Sequence, residues 1–498
     1  MESNAMDKNY QYLHDKFKYI NDLNHALEML CWDEDVMMPT GGAKARNSAL
    51  ASLTTTIHQQ LNSPEVASCL QDIDESALDQ WQLANIKHMR KAVVNATILP
   101  ERLVADLAVT TKESTQAWRT LRGQNNWHDF MPLLSKTVAL VKQKAKIKAE
   151  YYGVDAYDAL LDEFSPGVNR QYIDPIFNEL KHFLPQAIPM IVDKQRSKVS
   201  LPFNQSFAID KQYALSQDLM RVIGFDFNHG RIDTSQHPFC GGVPSDVRIT
   251  TRYNEHDFLS SALAVCHETG HALYEMGLPQ KYITQPVAKA LGMAVHESQS
   301  LLVEMQACSG PEFIGILSQY AQRHFGQNDS LSKGNLMKHL LKVRPDFIRV
   351  DADEVTYPLH VILRYEIEKA LFADEITVAD LPAIWQEKMS DYLGVDTTNN
   401  YKDGVMQDVH WSSGDFGYFP SYALGALLAA QLFAAAKHSN PEIMPSIAQG
   451  NFKPLMSWLN HNIHQYGSLY TFDELITKAS GKSLDASAYI AHVKARYM

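Results

Sequence analysis

Apolar residues recur at intervals of three and four along most of this chain, and this periodicity constrains the fold more than any other feature. The pattern is typical of amphipathic α-helices, which turn one apolar face toward a common core. It predicts helices over residues 8–30, 41–61, 101–121, 130–152, 172–196, 212–223, 257–277, 286–308, 356–373 and 415–437. We therefore expect a mainly α fold.

The region between residues 225 and 253 departs from this pattern. Glycine and proline break helical periodicity there, while Val243, Val247 and Ile249 alternate with polar residues. Alternation of this kind, bounded by glycine and proline, is typical of short strands. The sequence predicts a small β-hairpin or sheet directly before the helix over residues 257–277.

That helix contains the sequence His267-Glu268-Thr269-Gly270-His271. Residues four apart lie about 40° apart on one helix face, so both imidazoles can bind one Zn²⁺ ion. A glutamate next to a ligand can act as general base toward water beside the metal. We therefore predict His267 and His271 as metal ligands and Glu268 as a catalytic residue; the alternative is a pair of ordinary core histidines.

A catalytic zinc site takes three protein ligands and leaves the fourth position to water. Residues 286–305 are predicted as a second helix, in which Glu297 shares an apolar stripe with Ala294 and Leu301. A carboxylate on a buried stripe is costly unless a cation meets it. We predict Glu297 as the third ligand, because His296 points about 100° away around the helix. The alternative is that Glu297 lies on a solvated helix surface.

Together with His296-Glu297-Ser298-Gln299, the first motif resembles those of the carboxypeptidase Taq family of zinc metallocarboxypeptidases. Further blocks match the family in order, at residues 32–39, 237–239, 246–250, 348–353 and 404–411. The resemblance implies one helical body split by a deep substrate groove, similar in outline to neurolysin. It implies a single domain over residues 6–498, with about 6–120 expected as a helical lid over the groove, and a homodimer.

The same resemblance implies an enzyme that releases single amino acids from peptide C-termini with broad specificity. Its cofactor would be one Zn²⁺ per chain, for which Co²⁺ is expected to substitute. His410 and Tyr418 are predicted as catalytic donors to the tetrahedral intermediate. Asp408 is expected to orient a histidine.

An exopeptidase must also bind the free carboxylate of its substrate, and a guanidinium suits that group because it donates two parallel hydrogen bonds. Arg349 is the favoured anchor, and Arg248 and His237 are further predicted substrate-binding residues. For each arginine the alternative is a structural ion pair, with Asp351 or Asp353 beside Arg349 and with Asp246 beside Arg248.

Two rival functions remain open from the sequence. An endopeptidase or oligopeptidase would use the same metal chemistry without a carboxylate anchor. A helical binding protein would hold a purely structural metal, but structural zinc sites use four protein ligands and only three are visible here.

The net charge of −12 and the absence of a basic run argue against a nucleic-acid partner. The five cysteines are scattered without paired spacing, which favours a reducing cytoplasm over a disulfide framework. The most apolar stretch, residues 422–436, is too short to span a membrane and is interpreted as a buried helix. We expect no secretory signal, and residues 1–5 are interpreted as the remnant of a purification tag.

Overall fold

The computed structural model describes residues 7–498, so the tag remnant predicted at residues 1–5 lies outside them. Helices make up most of the described chain, and its strands form one small sheet. The prediction of a mainly α fold with a small sheet is therefore confirmed.

The four N-terminal helices share a small apolar core of their own, which includes Leu13, Phe17, Ile86 and Met89. Local sequence fixes where these helices begin: Asp79, for example, forms a reciprocal capping box with Gln82. The helices are α1 Lys8–Val36, α2 Ala43–Leu61, α3 Pro64–Asp72 and α4 Gln80–Thr97. A separate core is compatible with a lid, which stays a prediction.

The next five helices belong to the main core. They are α5 Glu101–Gly123, α6 Trp127–Tyr152, α7 Ala156–Phe164, α8 Arg170–Gln195 and α9 Ile209–Ile223. Helix α5 packs along α6 rather than among the first four helices. The small N-terminal core therefore ends before α5, whereas the predicted lid extends to about residue 120.

The sheet consists of β1 Gly230–Thr234, β2 Cys240–Val243 and β3 Asp246–Thr251. Strand β3 lies in the centre, parallel to β1 and antiparallel to β2. Its Val247 and Ile249 share an apolar cluster with Val265 and Ala272 of the following helix, α10 Phe258–Met276. This packing places the sheet beside the helix that carries both histidines, as predicted. Asp257 caps the N-terminus of that helix.

The second predicted helix, over residues 286–308, is interrupted. The α-helix, α11, spans only Gly292–Leu301 and continues as a π-helix over Leu302–Cys308. Gly292 has φ +75°, a left-handed conformation that a right-handed helix cannot pass through, and it lies against the backbone of Phe164. Periodicity alone did not reveal this break.

The C-terminal half packs around a long buried helix, α17, which begins at Pro420 because Gly417 before it has φ +91°. The predicted helix over residues 415–437 therefore starts later than expected. Among residues 7–498 no helix combines the length and apolarity that a membrane span requires. The remaining helices are α12 Pro311–Phe325, α13 Lys333–Leu340, α14 Tyr357–Phe372, α15 Leu381–Leu393, α16 His410–Ser413, α17 Pro420–Ser439, α18 Ile443–Ile447, α19 Lys453–Asn462, α20 Phe472–Ser480 and α21 Ser487–Tyr497.

Candidate metal centre and active site

Helix α11 is held between two glycines, one on each neighbouring helix. A Cβ atom at Gly270 of α10 would lie 2.6 Å from the carbonyl oxygen of Gln299 and 2.6 Å from Cα of Ser300. A Cβ at Gly425 of α17 would lie 2.8 Å from Cγ of Glu297. Both positions need glycine because the helix backbones approach so closely. This packing places Glu297 directly against the His-Glu-x-x-His segment.

The three predicted ligands form one cluster. Oε2 of Glu297 lies 3.7 Å from Nε2 of His267 and 3.4 Å from Nε2 of His271. Ligand atoms of all three residues lie within 4.8 Å of one another. Two imidazole nitrogens and one carboxylate oxygen form a donor set that suits a catalytic zinc ion. The residues present therefore fit the predicted metal.

The outer nitrogen of each ligand histidine is held by another side chain. Nδ1 of His267 lies 2.8 Å from Glu304 in the π-helix, and Nδ1 of His271 lies 2.6 Å from Nδ1 of His296. Nε2 of His296 in turn lies 2.8 Å from Glu275. Such partners fix the ring and tautomer of a metal-binding histidine, leaving Nε2 for the metal.

The sequence prediction did not identify these supporting residues. Glu275 follows His271 by four positions, and Glu304 follows Glu297 by seven, so each pair falls on one helix face. These spacings could have identified both glutamates from the sequence. His296, rejected as a ligand, contacts the site through His271 instead.

The charges of the cluster favour a cation. Burial disfavours the ionised form of Glu297, but His267 and His271 lower the pKa of that carboxyl to about 2. Burial opposes protonation of His267, but Glu297 and Glu304 raise its pKa to about 10. Burial lowers the pKa of His271 to about 4. The carboxylates thus give the cluster negative charge that a divalent ion can neutralise.

Glu268 lies beside the ligands but is not hydrogen-bonded through its side chain to any of residues 7–498. Its side chain is buried, and burial raises the pKa of its carboxyl to about 7, although His267 opposes the shift. A buried carboxylate without protein donors is available to take a proton.

Arg349 is buried and donates from Nε and Nη2 to Oδ1 of Asp408, at 3.1 and 2.9 Å. The other oxygen of Asp408 accepts from Nε of Arg364 at 2.7 Å. Asp408 therefore hydrogen-bonds two arginines, whereas the sequence analysis expected it to orient a histidine. The ion pair of Arg349 is with this distant aspartate and not with the neighbouring Asp351 or Asp353.

Arg349 and the predicted donors His410 and Tyr418 lie in one aromatic cluster with Tyr422. Nε2 of His410 lies 3.2 Å from the hydroxyl of Tyr422, and the ring of Tyr418 lies 5.3 Å from that of His410. Cζ of Arg349 lies 4.5 Å from the centre of the Tyr422 ring. Burial raises the pKa of Tyr418 and Tyr422, and the charge of Glu297 adds to both shifts.

The structure therefore brings Arg349, His410 and Tyr418 together on the side of the metal cluster that carries Glu297. Tyr422 belongs to this group and was not predicted. It falls four residues after Tyr418, at helical spacing, but it begins the stretch 422–436 that was interpreted as a buried helix.

Arg248 and His237 lie elsewhere around the sheet. Arg248 forms a two-pronged ion pair with Asp246, at 2.9 and 2.6 Å, and Cζ of Arg248 lies 4.7 Å from the ring centre of Trp32 in α1. His237 is exposed between β1 and β2. Neither side chain hydrogen-bonds to a predicted metal ligand among residues 7–498. These contacts match the structural ion pair that was the alternative for Arg248.

Comparison with known proteins gives a consistent result. The sequence profile of the carboxypeptidase Taq (M32) metallopeptidase family matches residues 12–497. Thermostable carboxypeptidase 1 of Thermus thermophilus is 36% identical over 482 residues, with 94% of each chain covered. Carboxypeptidase 1 of Bacillus subtilis is 32% identical, with 100% of this chain and 99% of the relative covered.

Solved structures agree over the whole length. Metallocarboxypeptidase 1 of Trypanosoma cruzi superimposes with a TM-score of 0.96 at 39% identity, covering 98% of this chain and 99% of its own. A carboxypeptidase of Pyrococcus furiosus superimposes with a TM-score of 0.94 at 30% identity, covering 99% and 100%. The chain therefore belongs to the carboxypeptidase Taq (M32) metallopeptidase family and is a metallocarboxypeptidase, a peptide hydrolase.

Proposed function

We propose that this enzyme uses zinc, held by His267, His271 and Glu297, to release single amino acids from the free C-termini of peptides. The observation that carries this proposal is the cluster of three ligand atoms within 4.8 Å of one another. Co²⁺ is expected to substitute, because it suits the same nitrogen and oxygen ligands.

His267, His271 and Glu297 would hold a divalent cation, which would supply polarisation of the scissile carbonyl and a lowered pKa for water. Glu268 takes the proton of the attacking water and passes it to the leaving amine. Its pKa of about 7 is set by burial. Positive charge at the neighbouring ligands lowers that value, so Glu268 is ionised and able to accept a proton at neutral pH.

Arg349 is proposed to bind the terminal carboxylate. Asp408 fixes the Nε and Nη2 side of its guanidinium. Nη1 makes no hydrogen bond to Asp408, and Tyr357 also lies within hydrogen-bonding reach of the guanidinium. The guanidinium is thus oriented by the protein while one nitrogen remains for substrate.

His410 and Tyr418 are proposed as donors to the oxygen that becomes negative during attack. Burial lowers the pKa of His410 to about 4, so its ring is neutral at neutral pH. Nδ1 of His410 is buried and has no partner among residues 7–498. A buried polar atom left without a partner is costly, and a substrate oxygen would satisfy it.

Broad specificity, a homodimer, a cytoplasmic location and a lidded groove complete the proposal. The cytoplasmic location rests on the scattered cysteines, and the other three properties rest on the motifs shared with the family. The rival without an exopeptidase anchor is not favoured, because the family and the relatives that this chain matches are carboxypeptidases.

The proposal is tested by Glu268→Gln. We expect metal content to stay at one ion per chain while turnover falls by about 10²–10⁴-fold, the range for loss of a general base. The matched control is Glu150→Gln on the exposed face of α6, which should leave turnover unchanged.

Substantial turnover by metal-replete Glu268→Gln would refute the assignment of the base. A second comparison uses peptides with free and amidated C-termini. Equal cleavage of both would support the endopeptidase instead.

A further inference from the structure

His410 and Tyr418 lie on an irregular segment, residues 404–419, between α15 and α17. Apart from the single turn of α16, the segment consists of turns and irregular backbone, and Gly414 and Gly417 both have positive φ. Groups that stabilise a transition state must nevertheless be held in a fixed position. Something outside the segment has to supply that order.

Glu368 of α14 meets this need. It is 0% exposed and accepts three hydrogen bonds. Oε1 accepts from Nε1 of Trp411 at 2.7 Å, and Oε2 accepts from the backbone N–H of Gly417 at 2.9 Å and from the hydroxyl of Tyr157 at 2.7 Å. None of these donors is charged, so burial of the carboxylate is not offset by a direct ion pair.

Two of the donors lie next to the proposed catalytic side chains. Trp411 directly follows His410, and Gly417 directly precedes Tyr418. One carboxylate therefore holds both ends of the stretch between them. A Cβ at Gly417 would lie 2.8 Å from the backbone of Leu160 in α7, so the segment is also pressed against the helix that carries Tyr157.

The preceding turn of α14 also contacts the segment. Arg364 precedes Glu368 by four residues, on the same helix face, and binds Asp408 at 2.7 Å. This face of α14 therefore contacts the segment at Asp408, Trp411 and Gly417.

We propose that Glu368 is a positioning residue that fixes His410 and Tyr418 toward the substrate by holding Trp411 and Gly417. The inference rests on the proposed function, since it assigns those two side chains to transition-state stabilisation. A carboxylate is required because all three partners are donors, and a glutamine amide would place N–H groups against at least one of them.

The test is Glu368→Gln in the zinc-loaded enzyme, with a blocked dipeptide that has a free C-terminus. We expect kcat to fall at least about tenfold, since loss of a single oxyanion donor costs about 10²–10³ in kcat. KM should change less than about twofold, because Arg364 still holds Asp408 and Asp408 still orients Arg349. Hydrogen exchange in peptides covering residues 404–419 should become faster, while zinc content stays constant.

Two phenylalanine variants distinguish a positioning role of Glu368 from a general effect on protein stability. Tyr157→Phe and Trp411→Phe each remove one hydrogen bond to the same carboxylate, but only Trp411 lies on the segment. We expect Trp411→Phe to reproduce the loss in kcat and the faster exchange, and Tyr157→Phe to keep both near the values of the unmodified enzyme. These two variants also test the positioning role if Glu368→Gln fails to fold.

An unchanged kcat in Glu368→Gln, or equal losses in the two phenylalanine variants, would overturn the inference. The proposed function fails separately. If Glu268→Gln retains turnover, the mechanism is wrong, whereas inactive Glu268→Gln together with a fully active Glu368→Gln removes only the positioning role.

Discussion

The substitution Gly270→Ala tests whether the packing of α10 on α11 sets the metal site. A Cβ at this position would lie 2.6 Å from two backbone atoms of α11, whereas ordinary contacts begin near 3.4 Å. The helices must therefore separate by about 0.8 Å. Helix α11 cannot retreat freely, because Gly425 of α17 lies against its other side, at Glu297.

This displacement is large compared with what metal coordination tolerates. Ligand distances in functional sites stay within about 0.2 Å of their ideal values. Overpacking of a core costs about 1–3 kcal/mol, while replacing a mid-helix glycine by alanine returns about 0.5–1 kcal/mol. We expect Gly270→Ala to fold with reduced stability and to bind zinc at least about tenfold more weakly, a difference of about 1.4 kcal/mol.

The free energy of unfolding is measured with and without zinc, and zinc affinity is measured by competition with a chelator. For each tenfold loss of affinity, the stabilisation by zinc shrinks by about 1.4 kcal/mol at a fixed metal concentration. Gly315→Ala is the control, because it lies inside α12 and its nearest neighbour would be 3.6 Å away on a flexible lysine. Unchanged zinc affinity in Gly270→Ala would refute the claim that this contact fixes the ligands.

Three further outcomes follow from other contacts. Glu304→Gln weakens the hold on His267 and should lower zinc affinity by about 10–100-fold, measured by the same competition; an unchanged affinity would contradict it. Arg349→Lys should raise KM for free-C-terminal peptides about tenfold or more, because a lysine lacks the planar group that Asp408 orients from one side while another nitrogen is left for the substrate. Arg248→Lys should change KM less than about twofold. Arg496 and His492, working against burial, lower the pKa of Glu354 to about 2 from its usual 4.5. Its stabilising contribution is therefore complete above pH 4.5 and is lost as pH falls toward 2, so the unfolding free energy of Glu354→Gln, measured in denaturant, should depend less on pH in that range.

Sequence periodicity predicted most long helices to within a few residues, because amphipathic stripes are local. It failed at Gly292, where a left-handed residue interrupts an apolar stretch that continues through it. It also missed several helices, from the short α3 and α7 to the longer α4 and α12. These are stabilised by packing against distant parts of the chain, which no local window contains.

The cluster of His267, His271 and Glu297 was predictable because metal binding demands fixed spacing on one helix and a carboxylate on a second buried face. The partner of Arg349 was not predictable in the same way. Asp408 lies 59 residues further along the chain, and nearer aspartates offered plausible ion pairs. Likewise, Glu368 carried no signal, because its partners Tyr157, Trp411 and Gly417 meet only in the folded protein.

The hydrogen bonds on the far side of each ligand imidazole bear on how the enzyme acquires its ion. His267 is braced by Glu304, and His271 by His296 and Glu275, through contacts between protein groups alone. We therefore expect the surrounding helices to stay folded when the ion is removed. The site would then be preformed for metal binding, and metal binding would not be required for folding. Exchange of one ion for another in the mature enzyme should then be limited by entry and release, not by refolding of the chain.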